Sequence, residues 1–333
     1  MQDRLEWLSL TVEEAIDPDL PICDPHHHLW EHPGSRYLLD EFLADVAGGH
    51  RIERTVYVEC QQHYRRTGPV ELRPVGETEF VHELTSALQR DAAAVKVAAG
   101  IVGFADLSLG AAVREVLEAH MSASERFRGI RHASAWDPSD RIRNAHTDPP
   151  EGLLRRAEFR QGFARLRELG LTFDAWLYHH QIPDVVDLAR AFPDVTIVLD
   201  HVGGPLGIGP YADRRAEVFQ LWRRNMLELA ACENVVVKVG GLCMTMCGFG
   251  WHKREKPPGS DELAAAMRPY FETCLEYFGA RRCMFESNFP VDQASCSYTV
   301  LWNAFKRLAR TCSPDERAEL FHDVAVRTYR LDG

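Results

Sequence analysis

Several features that would place a protein in a specialised class are missing from this chain of 333 residues. It has no uninterrupted run of about 18 apolar residues, the length that a membrane helix needs. Residues 1–20 are acidic and mixed, without the basic start, apolar middle and small-residue cleavage site of an export signal. We therefore expect a cytoplasmic protein without membrane contact, and we interpret residues 1–20 as an N-terminal extension.

An excess of positive charge is also missing, because the formal net charge is −11 at pH 7. Nucleic-acid binding depends on a basic face, so this charge argues against a nucleic-acid partner. It does not exclude an anionic small molecule, because a few arginines can serve one pocket inside an acidic protein. We expect a small-molecule substrate, and we leave self-association into a homo-oligomer open.

The nine cysteines are scattered along the sequence, and no two of them form a CxxC pair. Their number is odd, and no export signal points to an oxidising compartment. We therefore predict reduced, mostly buried thiols rather than a disulfide framework.

Short β-rich runs alternate with helical patterns eight times along the chain, which predicts parallel strands joined by helices. The runs are almost continuously apolar, as expected for strands that are covered on both faces. An open doubly wound sheet would normally carry a G-x-G-x-x-G loop after its first strand, where this chain has "HHHLWEHPG". We therefore predict a single-domain α/β fold, a (β/α)8 TIM barrel over residues 21–333. The strand candidates lie at residues 20–27, 54–60, 95–105, 127–135, 171–179, 195–204, 234–244 and 282–290.

Polar side chains cluster at the carboxyl ends of these strands, where barrels of this type have their active sites. The amino ends carry no such cluster, so we expect one converging site. Its candidates, in chain order, are Asp24, His26, His28, Glu59, Arg131, His179, His180, Asp200, His201, Glu286, Asn288 and Asp292.

Three consecutive histidines, "HHH" at residues 26–28, end the first strand candidate. Side chains alternate along a strand, so His26 and His28 should face the barrel interior while His27 faces the helices. Two inward imidazoles could hold one metal ion or position one substrate oxygen. For His27 a structural contact is the better interpretation.

Several motifs together resemble the amidohydrolase superfamily, in its family-2 branch of TIM-barrel metal-dependent hydrolases. "CDPHHHLW" is similar to the D-x-H-x-H of that branch, "LDHVGGP" to its strand-6 H-x-G, and "FESNFPVD" to its strand-8 G-S-D-x-P. The resemblance covers residues 20–330 and is greatest to the lactonase group, which contains 2-pyrone-4,6-dicarboxylate hydrolase, sulfomuconolactone hydrolase and sugar-acid lactonases. Decarboxylases of the aminocarboxymuconate-semialdehyde type share the same barrel and ligands.

The resemblance implies catalytic or metal-ligating roles for His26, His28 and His201. It also implies a strand-5 histidine, which is His180 in "LYHHQIP" or, in the alternative register, His179. Some lactonases of this branch are thought to work without metal, so both a zinc site formed by the three histidines of strands 1 and 6 and a metal-free site stay open.

The sequence departs from the family at strand 8, where Asn288 stands in place of the usual metal-ligating and proton-accepting aspartate. An amide cannot act as a general base at neutral pH, so another group must take the proton from water. Asp292 is the first candidate, although it could instead cap the last barrel helix. Glu59 and His180 follow as candidates.

A substrate carboxylate could be bound by Arg131, together with His252 and Arg254 in the long loop after strand 7; the loop charges could equally form a solvated surface patch. Glu59 is a further substrate-binding candidate. We expect a hydrolase that opens the lactone ring of a small, carboxylated metabolite with strand-end histidines and activated water. The alternatives are a non-oxidative decarboxylase and a barrel that binds a ligand without turning it over.

Overall fold

A single sheet of eight parallel strands forms the centre of the protein, and its strands follow one another in chain order. The computed structural model describes residues 2–91 and 94–332. Each predicted strand overlaps one observed strand, which confirms the (β/α)8 TIM-barrel fold. The strands are β1 (Ile22–His27), β2 (Ile52–Val58), β3 (Lys96–Gly103), β4 (Phe127–Arg131), β5 (Thr172–Ala175), β6 (Ile197–Leu199), β7 (Val235–Val239) and β8 (Cys283–Phe285).

The strands are shorter than predicted, and their predicted last residues belong to the loops at the barrel mouth. Helices surround the sheet, and a small hairpin of Trp30–His32 and Ser35–Tyr37 follows β1. The last helical segment of the chain contains a π-helical turn, Glu319–Asp323, between its two α-helical parts. The helices are α1 (Gln2–Leu8), α2 (Leu39–Val46), α3 (Val75–Arg90), α4 (Val113–Ala123), α5 (Ala157–Leu169), α6 (Ile182–Ala191), α7 (Arg215–Ala230), α8 (Ser260–Phe278), α9 (Tyr298–Leu308), α10 (Pro314–Ala318) and α11 (Val324–Tyr329).

The barrel is nearly closed where β1 meets the segment after β8. The backbone N–H of Asn288 donates to the carbonyl of His26 over 2.9 Å, and that of His28 donates to the carbonyl of Phe289 over 2.8 Å. Asp24 adds side-chain bonds across the same seam, because it accepts from the backbone N–H of Ser287 and from the hydroxyl of Tyr298. The seam therefore brings the first histidines and the polar residues after β8 together.

Side chains along β7 alternate between two environments. One is the apolar core between the strands and the helices, and the other is the space that the strands enclose. Val235, Val237 and Val239 pack into the large apolar core between strands and helices. Lys238, in the same run, points inward to other charged side chains. Tyr329 of α11 packs with strand residues in a smaller apolar cluster. Its hydroxyl donates to Asp174, so α11 reaches the interior of the barrel.

The segment between α1 and β1 is bound to the barrel helices by polar contacts. The backbone N–H of Ile16 donates to Asn303 of α9, and Lys306 of the same helix donates to the carbonyl of Ile16. Glu13 accepts from the backbone N–H of Ser260 at the start of α8. The boundary between a separate extension and the barrel at residue 20 stays a prediction.

All nine cysteines are free in the structure, and seven of them are buried. Within residues 2–91 and 94–332, none of the helices has the length and apolar content that crossing a membrane requires.

The seam between β1 and β8 can be tested through Asp24. We expect Asp24→Ala to lower the free energy of unfolding by about 2–3 kcal/mol, because it leaves the N–H of Ser287 and the hydroxyl of Tyr298 buried without an acceptor. Urea unfolding followed by tryptophan fluorescence measures the change. The exposed Asp40 provides the matched control; among the described residues its side chain pairs with Arg36 over 3.7 Å. Asp40→Ala should cost less than about 1 kcal/mol, and equal effects of the two variants would contradict this role of Asp24.

Candidate active site

A cavity of about 670 Å³ opens at the carboxyl ends of the strands. This volume lies in the range of small-molecule sites, about 300–1,000 Å³. Aromatic walls are provided by Trp30, Trp176 and Tyr178. The polar lining includes His28, Arg131, Arg143, His146, His201 and Asn288.

His26 and His28 are in contact, as their spacing predicts. Their Nε2 atoms lie 3.3 Å apart, and the Nδ1 atom of His28 lies 2.7 Å from the carbonyl oxygen of Val58. A carbonyl can only accept, so the Nδ1 atom of His28 carries the proton and its Nε2 atom carries the lone pair. Burial lowers the pKa of both rings, so they are neutral at pH 7. His28 lines the cavity, whereas His26 lies behind it and is fully buried.

His201 and Glu286 form a buried carboxylate–imidazole dyad. The Nδ1 atom of His201 lies 2.7 Å from Oε1 of Glu286, and the same oxygen accepts from the backbone N–H of His201 over 3.0 Å. Burial alone would raise the pKa of Glu286, but the nearby His201 and His26 rings lower it to about 2, so the carboxylate is ionised. The proton of His201 is therefore on Nδ1, and its Nε2 atom carries the lone pair.

The turn after β6 places His201 in an uncommon backbone conformation. Its φ is 56°, in the left-handed region, and the following Val202 has a φ of 47°. A Cβ atom on Gly241 would lie 2.5 Å from the Cβ of His201, so this position in the β7 loop requires glycine. Such strain is retained where the surroundings fix it, and it is common at functional sites. It indicates that the position of His201 is fixed before any ligand binds.

Below the histidines lies a second buried group of charges. The ammonium of Lys238 is 2.6 Å from Oδ2 of Asp174 and 3.0 Å from Oδ1 of Asp200. It is also 3.1 Å from the Nδ1 atom of His26. Burial would raise the pKa of Asp200, but Lys238 and His26 hold it well below its usual range. The histidines therefore rest on a charged layer that shows no solvent exposure.

Arg131 connects this layer to the cavity wall. Its Nε atom donates to Oε1 of Glu59 over 2.8 Å, and Oε2 of Glu59 lies 3.1 Å from His146. Burial alone would raise the pKa of Glu59, but Arg131 and His146 lower it to about 2. Arg131 is thus oriented by Glu59, and one of its nitrogens lies 3.4 Å from the Nε2 atom of His26.

Asn288 lines the cavity, while Asp292 lies behind it. The side-chain amide of Asn288 donates to Oδ1 of Asp292 over 2.9 Å, and the backbone N–H of Cys243 donates to Oδ2 over 3.2 Å. Burial raises the pKa of Asp292 well above its usual range, which favours its neutral form. The cap of α9 is Ser297, so the structure does not place Asp292 in the capping role that the sequence left open.

The donor atoms present fit a divalent metal ion. His26, Asp200 and His201 each offer a ligand atom, and these atoms lie within 4.8 Å of one another. Imidazole nitrogen and carboxylate oxygen are both zinc ligands. Among the described residues, neither side-chain oxygen of Asp200 has a hydrogen-bond partner. This group differs from the predicted set of His26, His28 and His201, because Asp200 stands in place of His28. The Nε2 atom of His28 lies 3.3 Å from that of His26.

The charges of the cluster agree with this fit. With the imidazoles neutral, four carboxylates face the guanidinium of Arg131 and the ammonium of Lys238, which leaves two negative charges uncompensated. A divalent cation, or two protons, would balance them. The carboxylates are Glu59, Asp174, Asp200 and Glu286.

Four of the sequence candidates lie away from both the cavity and the buried charged groups behind it. His179 and His180 lie in a short helical turn after β5, and the Nε2 atom of His180 is 3.1 Å from the carbonyl of Trp136. The expected convergence of His180 with the other histidines is therefore wrong. His252 borders a neighbouring cleft, and Arg254 pairs with Glu262 at the surface, so neither reaches the cavity as expected.

Three residues of the site were missed in the sequence. Lys238 was visible as the one charged residue within the apolar run "VVVKV". Arg143 and His146 belong to the loop between β4 and α5, where no periodicity indicates a position.

The chain is similar in sequence and in structure to known amidohydrolases. A family model described as amidohydrolase matches residues 23–331. The uncharacterised protein y4mH of Sinorhizobium fredii is 34% identical over 341 aligned positions, which cover 94% of this chain and 99% of that protein. L-Fucono-1,5-lactonase of Burkholderia multivorans is 30% identical over 260 positions, or 77% of each protein. A crystal structure of an amidohydrolase from the same species with bound zinc has a TM-score of 0.71 at 24% identity and covers 93% of this chain and 99% of its own.

The contact between Glu59 and Arg131 generates a pH-dependent prediction. Glu59→Gln should lower the free energy of unfolding by about 3 kcal/mol at pH 7, because it leaves a buried guanidinium without its main partner. The folded-state pKa of about 2 lies below the ordinary value of 4.5, so the stabilisation is present above pH 4.5 and is lost as the pH falls toward 2. The difference between wild type and variant should therefore shrink on acidification.

Urea unfolding at pH 7, 5 and 3.5 measures this change. The exposed Glu31 supplies the control, since Glu31→Gln should alter stability by less than about 0.5 kcal/mol at each pH. A Glu59→Gln deficit that stays constant across the series would contradict the assignment.

Proposed function

The chain belongs to the amidohydrolase family and is a hydrolase of its lactonase-like group, and from this premise we propose that it opens the lactone ring of a small, carboxylated metabolite by adding water. The observation that carries the proposal is the dyad of His201 and Glu286 at the wall of a cavity that also presents the guanidinium of Arg131. The dyad offers a base, and the guanidinium offers positive charge where an oxyanion would form.

Water activation is assigned to His201. Its Nδ1–H is bound by Glu286, so Nε2 is free to accept a proton from water. The ionised carboxylate stabilises the imidazolium that results, as in other carboxylate–histidine pairs. Asp292 is the weaker candidate for this role, because it lies behind Asn288 and its raised pKa favours the neutral form. The imidazolium of His201 can then return the proton to the ring oxygen as the ester bond breaks.

Polarisation of the carbonyl is assigned to Arg131 and Asn288. Arg131 is fixed by Glu59 and borders the cavity, so its position needs no rearrangement when charge develops. The amide of Asn288 carries two hydrogens, of which Asp292 accepts one. The other is available to a substrate oxygen. This assigns Asn288 a role as a donor, which an aspartate at the same position could not perform when ionised.

A divalent metal ion held by His26, Asp200 and His201 would supply Lewis-acid polarisation of the carbonyl. It would then occupy the lone pair that His201 otherwise offers to water, so the two roles of His201 are alternatives. Zinc suits this donor set by ligand type. The zinc-containing relative from Burkholderia multivorans supports the same choice. The protein's own contribution is to orient the ring of His201 through Glu286.

We assign the binding of the substrate carboxylate to Arg143, in place of His252 and Arg254. Arg143 borders the cavity and is exposed, and none of the ion pairs in residues 2–91 and 94–332 involves it. Its backbone carbonyl accepts from the hydroxyl of Tyr178, and the neighbouring Asn144 accepts from the backbone N–H of Asp137. The loop therefore holds an unpaired guanidinium over the cavity, where its fork can bind a carboxylate. Arg131, by contrast, already has a carboxylate partner in Glu59.

A panel of lactones separates the proposal from its alternatives. Purified protein is offered neutral sugar 1,5-lactones and lactones that bear a carboxylate, and acid release is followed with a pH indicator while carbon dioxide is measured in parallel. Acid release without carbon dioxide supports lactone hydrolysis. Carbon dioxide release would replace it with decarboxylation, and ligand-induced thermal stabilisation without turnover would replace it with simple binding.

The role of His201 has a control within the chain. His201→Ala should lower kcat by about 10²–10⁴-fold, because it removes the proton acceptor from the cavity. His180→Ala should stay within threefold of the wild-type rate, since its ring contacts the carbonyl of Trp136 outside the cavity. Circular dichroism confirms that both variants are folded. Near-normal turnover by folded His201→Ala would refute the assignment.

Arg143 should act on substrate binding rather than on chemistry. For carboxylated lactones we expect Arg143→Gln to raise KM by about tenfold or more, the loss of one charge-assisted contact, with kcat changed by less than threefold. Neutral lactones should show no such increase. The neighbouring exposed Arg141 lies outside the cavity lining, and Arg141→Gln is the matched control. An equal rise in KM for neutral and carboxylated lactones would contradict the carboxylate contact.

A further inference from the structure

Lys238 is a fully buried lysine that the proposed reaction does not use. Its ammonium contacts Asp174, Asp200 and the Nδ1 atom of His26 at distances of 2.6, 3.0 and 3.1 Å. Burial of an ammonium is costly unless it is paired and hydrogen-bonded. Asp174 and Asp200, both within 3.0 Å of the ammonium, supply this pairing.

Two of these three contacts are with residues of the candidate metal group. Asp200 and His26 each offer a ligand atom to that group, and Lys238 holds both. An ammonium and a divalent cation that are held by the same two residues repel each other strongly in a site without solvent. The third contact, with Asp174, lies outside the metal group and anchors the ammonium in place.

The ring of His26 has a cation near each of its nitrogen atoms. Its Nδ1 atom lies 3.1 Å from the ammonium of Lys238 and 2.9 Å from Oε2 of Glu286. Its Nε2 atom lies 3.3 Å from the Nε2 atom of His28 and 3.4 Å from a nitrogen of Arg131. A divalent cation on His26 and Asp200 would therefore lie close to two positive charges, those of Lys238 and Arg131.

We propose that Lys238 is an internal cation that takes the place of a divalent metal on Asp200 and His26, so that the enzyme binds such ions only weakly. Lys238 thus acts as a positioning residue: it orders the carboxylate and the imidazole without contacting the substrate. The proposal does not rest on the lactone assignment, because metal binding is measured without substrate.

The first test uses the wild-type protein. The full-length chain is loaded with one equivalent of zinc and dialysed against EDTA, and its metal content is measured by plasma mass spectrometry. We expect less than a tenth of an equivalent to remain. Retention of a full equivalent after dialysis would overturn the proposal, whether or not any variant can be prepared.

The second test compares zinc affinities by competition with a chromophoric chelator. Lys238→Met removes the ammonium but adds an uncompensated buried charge, so it could fail to fold. The double variant Asp174→Asn with Lys238→Met removes one cation and one anion together and keeps the net charge of the cluster. We expect it to bind zinc at least tenfold more tightly than wild type. The control Lys238→Arg keeps the positive charge and should stay within threefold of wild type.

A purely structural role of Lys238, as the partner of Asp174 alone, gives a different result. The double variant would then bind zinc with wild-type affinity or more weakly, and the proposal would fall. A gain of equal size in Lys238→Arg would also overturn it, since the positive charge would then not matter. Failure of lactone hydrolysis in the substrate panel would leave these measurements unaffected.

Discussion

The backbone hydrogen bonds between β1 and the segment after β8 are the contact on which the rest of the site depends. They join the carbonyl of His26 to the N–H of Asn288 and the N–H of His28 to the carbonyl of Phe289. The two strands come from opposite ends of the chain, and their junction places the strand-1 imidazoles beside Glu286. From Glu286 the contacts extend to His201 in the turn after β6. A barrel with this seam open would still have eight strands, but its dyad and its paired histidines would lie apart.

Electrostatics then determines what the assembled residues can do. The interior carries more carboxylates than cations, and each charged group is held by partners rather than by water. Glu286 and Glu59 remain ionised despite burial because imidazoles and a guanidinium surround them. Those same carboxylates fix the proton positions of His201 and the orientation of Arg131. The imidazole nitrogen of His201 and the guanidinium of Arg131 face the cavity. Their orientation is set by the buried carboxylates of Glu286 and Glu59 behind them.

The sequence predicted the barrel because strand and helix periodicities are local and survive in any single chain. It also identified His26, His28 and His201, since alternation and motif spacing assign them to one end of the strands. It misplaced His180 because β5 ends at Ala175 and the chain turns into a short helix before reaching that residue. Arg143 and Arg254 lie in long loops, whose paths depend on contacts such as that of Asp137 with Tyr211. A periodic pattern in the sequence does not reveal the path of such a loop. Lys238 was readable as a charge within an apolar run, yet its partners lie on other strands.

The seam also determines when the protein becomes active. Its two sides are separated by about 260 positions in the sequence, so a ribosome must release almost the whole chain before the dyad can meet the strand-1 histidines. Contacts between such distant segments form late and slowly. Catalytic activity in a nascent or refolding population would therefore report completion of the barrel, whereas helix content would appear earlier.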